Sequence, residues 1–351
     1  MTKIDIKSLN LQQLTEQLVP FSMPKFRAKQ IYEWLHVQLV GSFDEMTNLS
    51  KKDRELLKEH FNITCLHPVE VLTSSIDGTK KYLFALEDGN IIESVLMRYK
   101  HGNSVCISSQ VGCRMGCRFC ASTIDGLARN LTASEMLDQI YRIQKETGER
   151  VSNVVVMGSG EPLDNYDNLI QFIHLLSNEH GLSISQRNIT VSTCGIVPNI
   201  KKLADEKLSI TLALSLHAPN DEVRQGLMPI AKKYNLSEVL DACQYYFKKT
   251  GRRLTFEYSL VKDVNDNIEE AKALSKLVSG MNCHVNLIPV NPIKERDFVQ
   301  SNRENIENFK KLLEKNKINV TIRREMGRDI DGACGQLRKR YMENSLEKGD
   351  E

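Results

Sequence analysis

Residues 104–120 read Ser104-Val-Cys106-Ile-Ser-Ser-Gln-Val-Gly-Cys113-Arg-Met-Gly-Cys117-Arg-Phe-Cys120. The first half is a strand-like run, and the second places three cysteines on a short loop directly after it. Moving outward toward the C-terminus, further strand-like runs recur: SNVVVMGS from Ser152, NITVSTC from Asn188, SITLALSLH from Ser209, RLTFEYSLV from Arg253, HVNLIPVN from His284 and INVTIRRE from Ile318. Between them lie helical stretches such as TASEMLDQIYRIQKE, SEVLDACQYYFKK and NIEEAKALSKLVS. Such alternation predicts a parallel sheet with helical crossovers. The expected fold is therefore α/β, a partial (β/α)6 barrel with one further strand. A doubly wound open sheet has the same periodicity and remains a competing arrangement.

Upstream the pattern differs. Ala28, Ile31 and Leu35, with Trp34 beside them, repeat at helical spacing, and Leu56, Leu57 and Phe61 mark another helix. Residues 1–66 are thus expected to form an N-terminal helical domain with a modest core of its own. Residues 67–100 read as three strands separated by Asp77-Gly78 and Asp88-Gly89, a hairpin signal that suggests tight primed turns. This predicts a small antiparallel β extension, followed by the barrel domain over residues 101–345.

The chain has 351 residues, 41% hydrophobic and 26% charged, an ordinary globular composition. No apolar run approaches the ~20 residues needed to cross a bilayer, and the N-terminus lacks a secretory h-region. A cytoplasmic protein with no membrane role is expected. Nine cysteines in such a protein point to metal or redox work rather than a disulfide framework. The net charge of +2 says little about partners, but residues 317–340 hold seven Lys/Arg against three Asp/Glu. That excess suits a phosphate backbone or a solvated surface equally well.

Thiolates spaced as in Cys113, Cys117 and Cys120 can converge on one face of an iron–sulfur cluster, leaving the fourth iron open. A structural zinc site would need a fourth ligand, and the next cysteine is Cys194. Inert thiols are the remaining alternative. In a parallel barrel the site forms at the C-terminal ends of the strands. There stand Met157-Gly158-Ser159-Gly160-Glu161-Pro162, Ser192-Thr193-Cys194-Gly195, Ser215-Leu216-His217 and Asn291-Pro292. The Gly-rich turn alone reads equally as a ligand cradle or a tight turn, but polar residues recurring at one rim favour a cofactor site.

The C-x3-C-x2-C spacing with Phe119 before its last ligand resembles the radical S-adenosylmethionine superfamily. The strings CISSQVGCRMGCRFCA, MGSGEPLDN, STCGIVP, ALSLHAPND, NLIPVNP and DIDGACGQL further resemble the RlmN/Cfr family, radical enzymes that methylate an adenine in RNA. The resemblance runs from about Glu93 to Leu337 and includes the helical N-terminal domain. It implies a [4Fe-4S] cluster on Cys113, Cys117 and Cys120, and two S-adenosylmethionine molecules per turnover. The cofactor contacts it implies are Gly160, Glu161, Ser192, Ser215, Leu216, His217 and Asn291. Cys334 would carry the methyl group as S-methylcysteine, Cys106 would release the RNA adduct through a transient disulfide with Cys334, and Glu93 would accept a proton. Without the resemblance, Cys106 and Cys334 read as ordinary buried thiols.

Strand alternation puts Glu93 on one face with Ile91, Val95 and Met97, where an apolar setting would raise its pKa; an edge-strand glutamate facing water is the alternative. Cys65, Cys243 and Cys283 match nothing functional, and Cys194 is near the site without being required by the motif. Two branches of the family act on the same adenine 2503 of 23S ribosomal RNA, RlmN at C2 and Cfr at C8, and some RlmN members also modify adenine 37 of certain transfer RNAs. Gly160-Glu161-Pro162-Leu163, Gln110-Val111-Gly112 and Arg129-Asn130-Leu131-Thr132 resemble the RlmN branch, while Ser159 departs from its usual Met. The implied partners are these RNAs and an electron donor such as flavodoxin or ferredoxin, with the protein a monomer. A radical enzyme acting on a small molecule and a cluster-bearing RNA-binding protein without turnover are the other classes the sequence admits.

Overall fold

The computed structural model describes residues 3–292 and 296–330, together with Tyr341. At the N-terminus β1 (Ile4–Asp5) pairs in parallel with β2 (Phe61–Asn62). Between them lie α1 (Leu11–Leu18), α2 (Lys25–His36) and α3 (Lys51–His60). Asn10 starts α1 with a capping box: its side chain accepts from the Gln13 N–H at 2.8 Å, and the Gln13 side chain accepts from the Asn10 N–H at 2.9 Å.

The separate core expected here is not formed. Ala28, Ile31, Leu35 and Leu57 are buried, but they belong to one hydrophobic cluster continuous with the barrel. Three short helices bury little surface by themselves, and the cluster they join includes Met136, Leu137, Ile140 and Tyr141 of α4 (Ala133–Thr147) of the barrel. The seam also has polar ties. Lys7, fully buried, donates to the Thr64 carbonyl and to Asp138 of α4, the latter at 2.6 Å. Asp138 also accepts from the Leu66 N–H at 2.7 Å, and His36 Nδ1 lies 2.8 Å from the Tyr141 hydroxyl.

The extension comprises β3 (His67–Thr73), β4 (Lys80–Ala85) and β5 (Ile91–Tyr99), an antiparallel meander as expected. Its turns are not primed ones. Gly78 and Gly89 have φ of 72° and 80°, but neither Asp77 nor Asp88 joins them in the left-handed region. A primed type I turn needs positive φ at both central residues. Here the loops are longer, with Gly89 closing onto the Leu86 carbonyl at 3.0 Å and Gly78 onto that of Ser74 at 3.1 Å.

The meander is not an appendage: β5 pairs antiparallel with β6 (Gly102–Ile107), the first strand of the barrel. After β6 the chain makes a narrow loop whose neck is the antiparallel pair β7 (Gln110–Gly112) and β8 (Leu127–Asn130). The βα alternation then runs through α4, β9 (Val151–Val156), α5 (Tyr166–Ser177), β10 (Ile189–Thr193), α6 (Val197–Asp205) and β11 (Thr211–Ser215). It continues with α7 (Asp221–Leu227), α8 (Leu236–Thr250), β12 (Leu254–Leu260), α9 (Ile268–Leu277), β13 (Cys283–Pro289), α10 (Arg303–Lys315) and β14 (Asn319–Ile322).

All seven expected parallel strands are present, in the spatial order β6-β9-β10-β11-β12-β13-β14. A doubly wound sheet reverses its order at a switch point. This sheet runs in one direction, which is the order of a barrel; β6 is flanked by β5 instead of β14, so the barrel stays open. This is an open, singly wound (β/α) barrel, and its winding brings every parallel strand's C-terminal end to one rim.

Because Lys7 and Asp138 are both fully buried, Lys7→Met takes the nearer cation from the carboxylate and leaves it the Arg142 guanidinium at 3.3 Å. We expect it to cost about 3 kcal/mol of stability in chemical denaturation.

Candidate active site

The three cysteines sit on the loop between β7 and β8. Its neck is closed by the Cys113 N–H donating to the Gly126 carbonyl at 2.8 Å. Gly112, with φ of 74°, makes that closure possible, since a Cβ there would overlap the same carbonyl oxygen. Across the loop the Arg118 N–H donates to the Leu227 carbonyl at 2.9 Å, pinning the loop to the end of α7.

Cys113, Cys117 and Cys120 line one cavity of about 260 Å³ at the barrel rim. Burial pushes the Cys113 thiol up to about 12 and raises Cys117 and Cys120 as well. Two buried thiols and the half-buried Cys120, all reluctant to ionise, become thiolates readily when an electron-accepting group binds them together. Among the described residues no three His, Cys, Asp or Glu side chains close on a single ion. Three cysteines lining one cavity are the ligand type of an iron–sulfur cluster.

The opposite wall comes from the other strand ends. Gly160, Glu161, Ser192, Ser215, His217 and Asn291 all line the same cavity, so the rim residues read from the sequence meet as expected. Gly160 (φ 106°) touches the first strand's exit closely: a Cβ there would lie 2.6 Å from Cβ of Gln110 and 2.7 Å from its backbone nitrogen. Glu161 is buried and accepts from the Leu163 N–H at 3.1 Å and the Cys194 N–H at 2.8 Å. It thereby joins the rims of β9 and β10, with the Thr193 hydroxyl and the Cys194 thiol also hydrogen-bonded to it. Burial raises its pKa against these hydrogen bonds. Ser192 and Ser215 face each other with hydroxyls 3.4 Å apart.

His217 is buried with its ring edge-to-face on Phe119, centroids 4.7 Å apart. Its Nδ1 accepts from the Ser259 N–H at 2.9 Å, which fixes the neutral tautomer with the proton on Nε2. Leu216 departs from expectation. Its side chain packs fully buried in the hydrophobic core, away from the cavity, and its carbonyl is taken by Arg224.

A second cavity, of about 320 Å³, shares Met157, Gly158, Ile288, Pro289, Asn291 and Arg323 with the first. Glu93 and Cys106 line it, and Val95 and Met97 share that wall with Glu93 as strand alternation predicts. Glu93 faces neither water nor a purely apolar wall. It is buried in the sheet interior, 3.3 Å from the fully buried ammonium of Lys81 on the neighbouring strand. Burial raises the Cys106 thiol, and the charge of Arg323 opposes it. Arg324 and Arg328 complete a basic wall. This segment is held against the β3–β4 loop by Asp329, which accepts from the Ser74 hydroxyl at 2.6 Å and the Ser75 N–H at 2.9 Å.

Cys334 lies outside the described residues, so its pairing with Cys106 is not seen; the described cysteines are all free thiols. Cys243 and Cys283 are buried packing residues, and Cys65 is half-buried. Cys194 is buried in the first cavity's wall. Sequence reasoning missed Lys81, and also Glu257, a buried carboxylate of β12 that lines the first cavity and accepts from Asn286 at 2.9 Å. The signal for Glu257 was available: a charged residue inside a strand otherwise suited to burial on both faces.

A singly wound barrel with three cysteines after its first strand, facing a polar rim across one cavity, defines the radical S-adenosylmethionine class. Residues 107–274 match the Radical SAM superfamily, and residues 4–63 match the ribosomal RNA large subunit methyltransferase N-terminal domain. A protein of Lachnospira eligens named "Probable dual-specificity RNA methyltransferase RlmN" is 68% identical, over 97% of both chains. One of the same name from Lachnoclostridium phytofermentans is 63% identical, over 98% of this chain and 97% of its own. The crystal structure of a radical SAM methyltransferase from Sphaerobacter thermophilus superposes with a TM-score of 0.91 at 43% identity, covering 95% of this chain and 98% of that one. The chain belongs to the RlmN family of radical S-adenosylmethionine RNA methyltransferases, a family that implies a [4Fe-4S] cluster and S-adenosylmethionine.

Burial, with the charge of Arg224 adding to it, pushes His217 from its ordinary 6.5 down to about 3. Between those values the unfolded chain binds a proton that the folded chain does not, so stability falls as pH drops through that window. In the apoprotein the His217 ring resonance should stay flat by NMR from pH 8 to pH 5. A midpoint near 6.5 would contradict the buried neutral ring.

Proposed function

We propose that this protein methylates C2 of an adenine in RNA, namely adenine 2503 of 23S ribosomal RNA, with adenine 37 of transfer RNA as a second substrate. The observation that carries the reading is the shared wall of the two cavities. One holds three cysteines and the polar rim; the other holds a carboxylate, a thiol and arginines. In this reading Cys113, Cys117 and Cys120 hold the cluster, and Gly160, Glu161, Ser192, Ser215, His217 and Asn291 surround S-adenosylmethionine, with Leu216 contributing backbone only. When bound, these groups supply an electron, a methyl group and hydrogen abstraction.

The chain's own residues do the rest. Cys334, just beyond Ile330 in sequence, carries the carbon as S-methylcysteine. Glu93 receives a proton from the ring carbon, held in place by the Lys81 ammonium. Cys106 then attacks the Cys334 sulfur; a disulfide forms as the bond to the RNA-borne carbon breaks, and that carbon takes up a proton. Arg323, Arg324 and Arg328 offer guanidinium groups to the phosphates around the adenine. The protein works in the cytoplasm as a monomer, with two S-adenosylmethionine molecules per turnover and a flavodoxin or ferredoxin as electron donor. The glycine-rich turn ending Glu161-Pro162-Leu163 and the names of the relatives favour C2 over C8.

The test is anaerobic reconstitution with iron, sulfide, S-adenosylmethionine, a reduced flavodoxin and either an rRNA fragment or transfer RNA, followed by mass spectrometry of the digested nucleosides. We expect 2-methyladenosine; 8-methyladenosine would refute the assignment, and unmodified RNA with 5′-deoxyadenosine formed would point to another substrate. Glu93→Gln should lower the rate by about 100-fold or more, and full turnover would remove Glu93 from the mechanism.

A further inference from the structure

We propose that Arg224 is a positioning residue for the cluster, the buried cation that balances the negative charge of the thiolate-bound group. The inference rests on the assignment of Cys113, Cys117 and Cys120 as ligands. Arg224 projects from α7 and is fully buried, the largest side chain to be so among the described residues. Its Nε donates to the Leu216 carbonyl at 3.1 Å. One terminal nitrogen donates to the carbonyls of Cys194 at 2.7 Å and Ser215 at 3.3 Å. The other terminal nitrogen has no acceptor among the described residues.

Carbonyls satisfy hydrogen bonds without cancelling charge, and a buried guanidinium without an anion is strongly disfavoured. Asp221, at the start of α7, is committed to the Leu236 N–H at 2.8 Å and forms no ion pair with Arg224 among the described residues. Cys194 is held neutral by burial beside Glu161. Cys117 is the thiol that a cluster would convert to a thiolate.

The packing ties these groups together. Leu227 and Met228, at the end of α7, pack against Cys117, and the Leu227 carbonyl receives the N–H of Arg118. Gly195 leaves the guanidinium its space: a Cβ there would come within 3.3 Å of the nitrogen bound to Cys194. The apoprotein thus holds an unbalanced positive charge beside the cysteine loop. A cluster on three thiolates supplies the missing negative charge, and its reduced form, richer by one electron, supplies more.

Two substitutions separate charge from tethering. Arg224→Gln keeps hydrogen-bond donors without the charge, and Arg224→Lys keeps the charge without the planar fork. In reconstituted protein, a potentiometric titration followed by electron paramagnetic resonance should give Arg224→Gln a more negative midpoint, with Arg224→Lys near wild type. The rise in melting temperature on loading the cluster should be smaller in Arg224→Gln than in wild type. Unchanged midpoint and unchanged loading shift in Arg224→Gln would overturn the proposal, as would an equal shift in both variants, which would mean tethering alone. Failure of wild-type protein to take up a cluster would instead overturn the ligand assignment beneath it.

Discussion

The antiparallel ladder between Ile91–Tyr99 and Gly102–Ile107 is the join on which the site depends. It sets Val95 opposite Cys106, and it makes a three-stranded meander continuous with a seven-stranded parallel sheet. One strand then serves both cavities: Cys106 lies within it, and the loop bearing Cys113, Cys117 and Cys120 follows it. A slip of one residue would turn Cys106 or Glu93 to the opposite face of the sheet. The register is protected on both sides, by the hydrogen bonds of β4 on one edge of the pair and of β9 on the other.

Winding in one direction supplies the second constraint. Because no strand order reverses, every parallel strand delivers its C-terminal residue to the same rim, and chemistry scattered along the sequence meets within two adjoining cavities. The site is also charged in a way the protein alone does not balance. Thiols are pushed toward neutrality while Arg224 has only carbonyls. Glu257 is raised by burial and eased by Arg323, and Glu93 meets the buried Lys81 ammonium at the wall of the second cavity. Buried groups of this kind cost stability unless something compensates them, which is why they mark a ligand site more strongly than a cavity does.

The strands were legible because β-branched runs alternate with helical periods, and because the cysteine triplet fixes where the first strand ends; their order in the sheet was not, since a doubly wound sheet has the same periodicity. The polar rim was legible once the parallel arrangement was assumed, since residues just after each strand must share an edge. What was not legible depended on pairing across strands. Lys81 meets Glu93 only through the β4–β5 register, and nothing local in TKKYLFALE announces it. Leu216 lies between two cavity residues in sequence, yet its side chain points into the core. The helical unit's shared core with α4 is likewise a long-range contact, invisible to periodicity. Cys334 lies outside the described residues, so its place rests on the family resemblance.

The central claim is that Cys113, Cys117 and Cys120 hold a cluster in the first cavity with its open iron turned toward the polar rim. A crystal structure of the anaerobically reconstituted protein with S-adenosylmethionine, phased on iron anomalous scattering, tests this most directly. The account predicts four irons, three bound by these thiolates, with the methionine end of S-adenosylmethionine on the fourth beside Glu161 and Ser192. A single metal ion at this loop, or a cluster closed by Cys194 as a fourth thiolate, would contradict it.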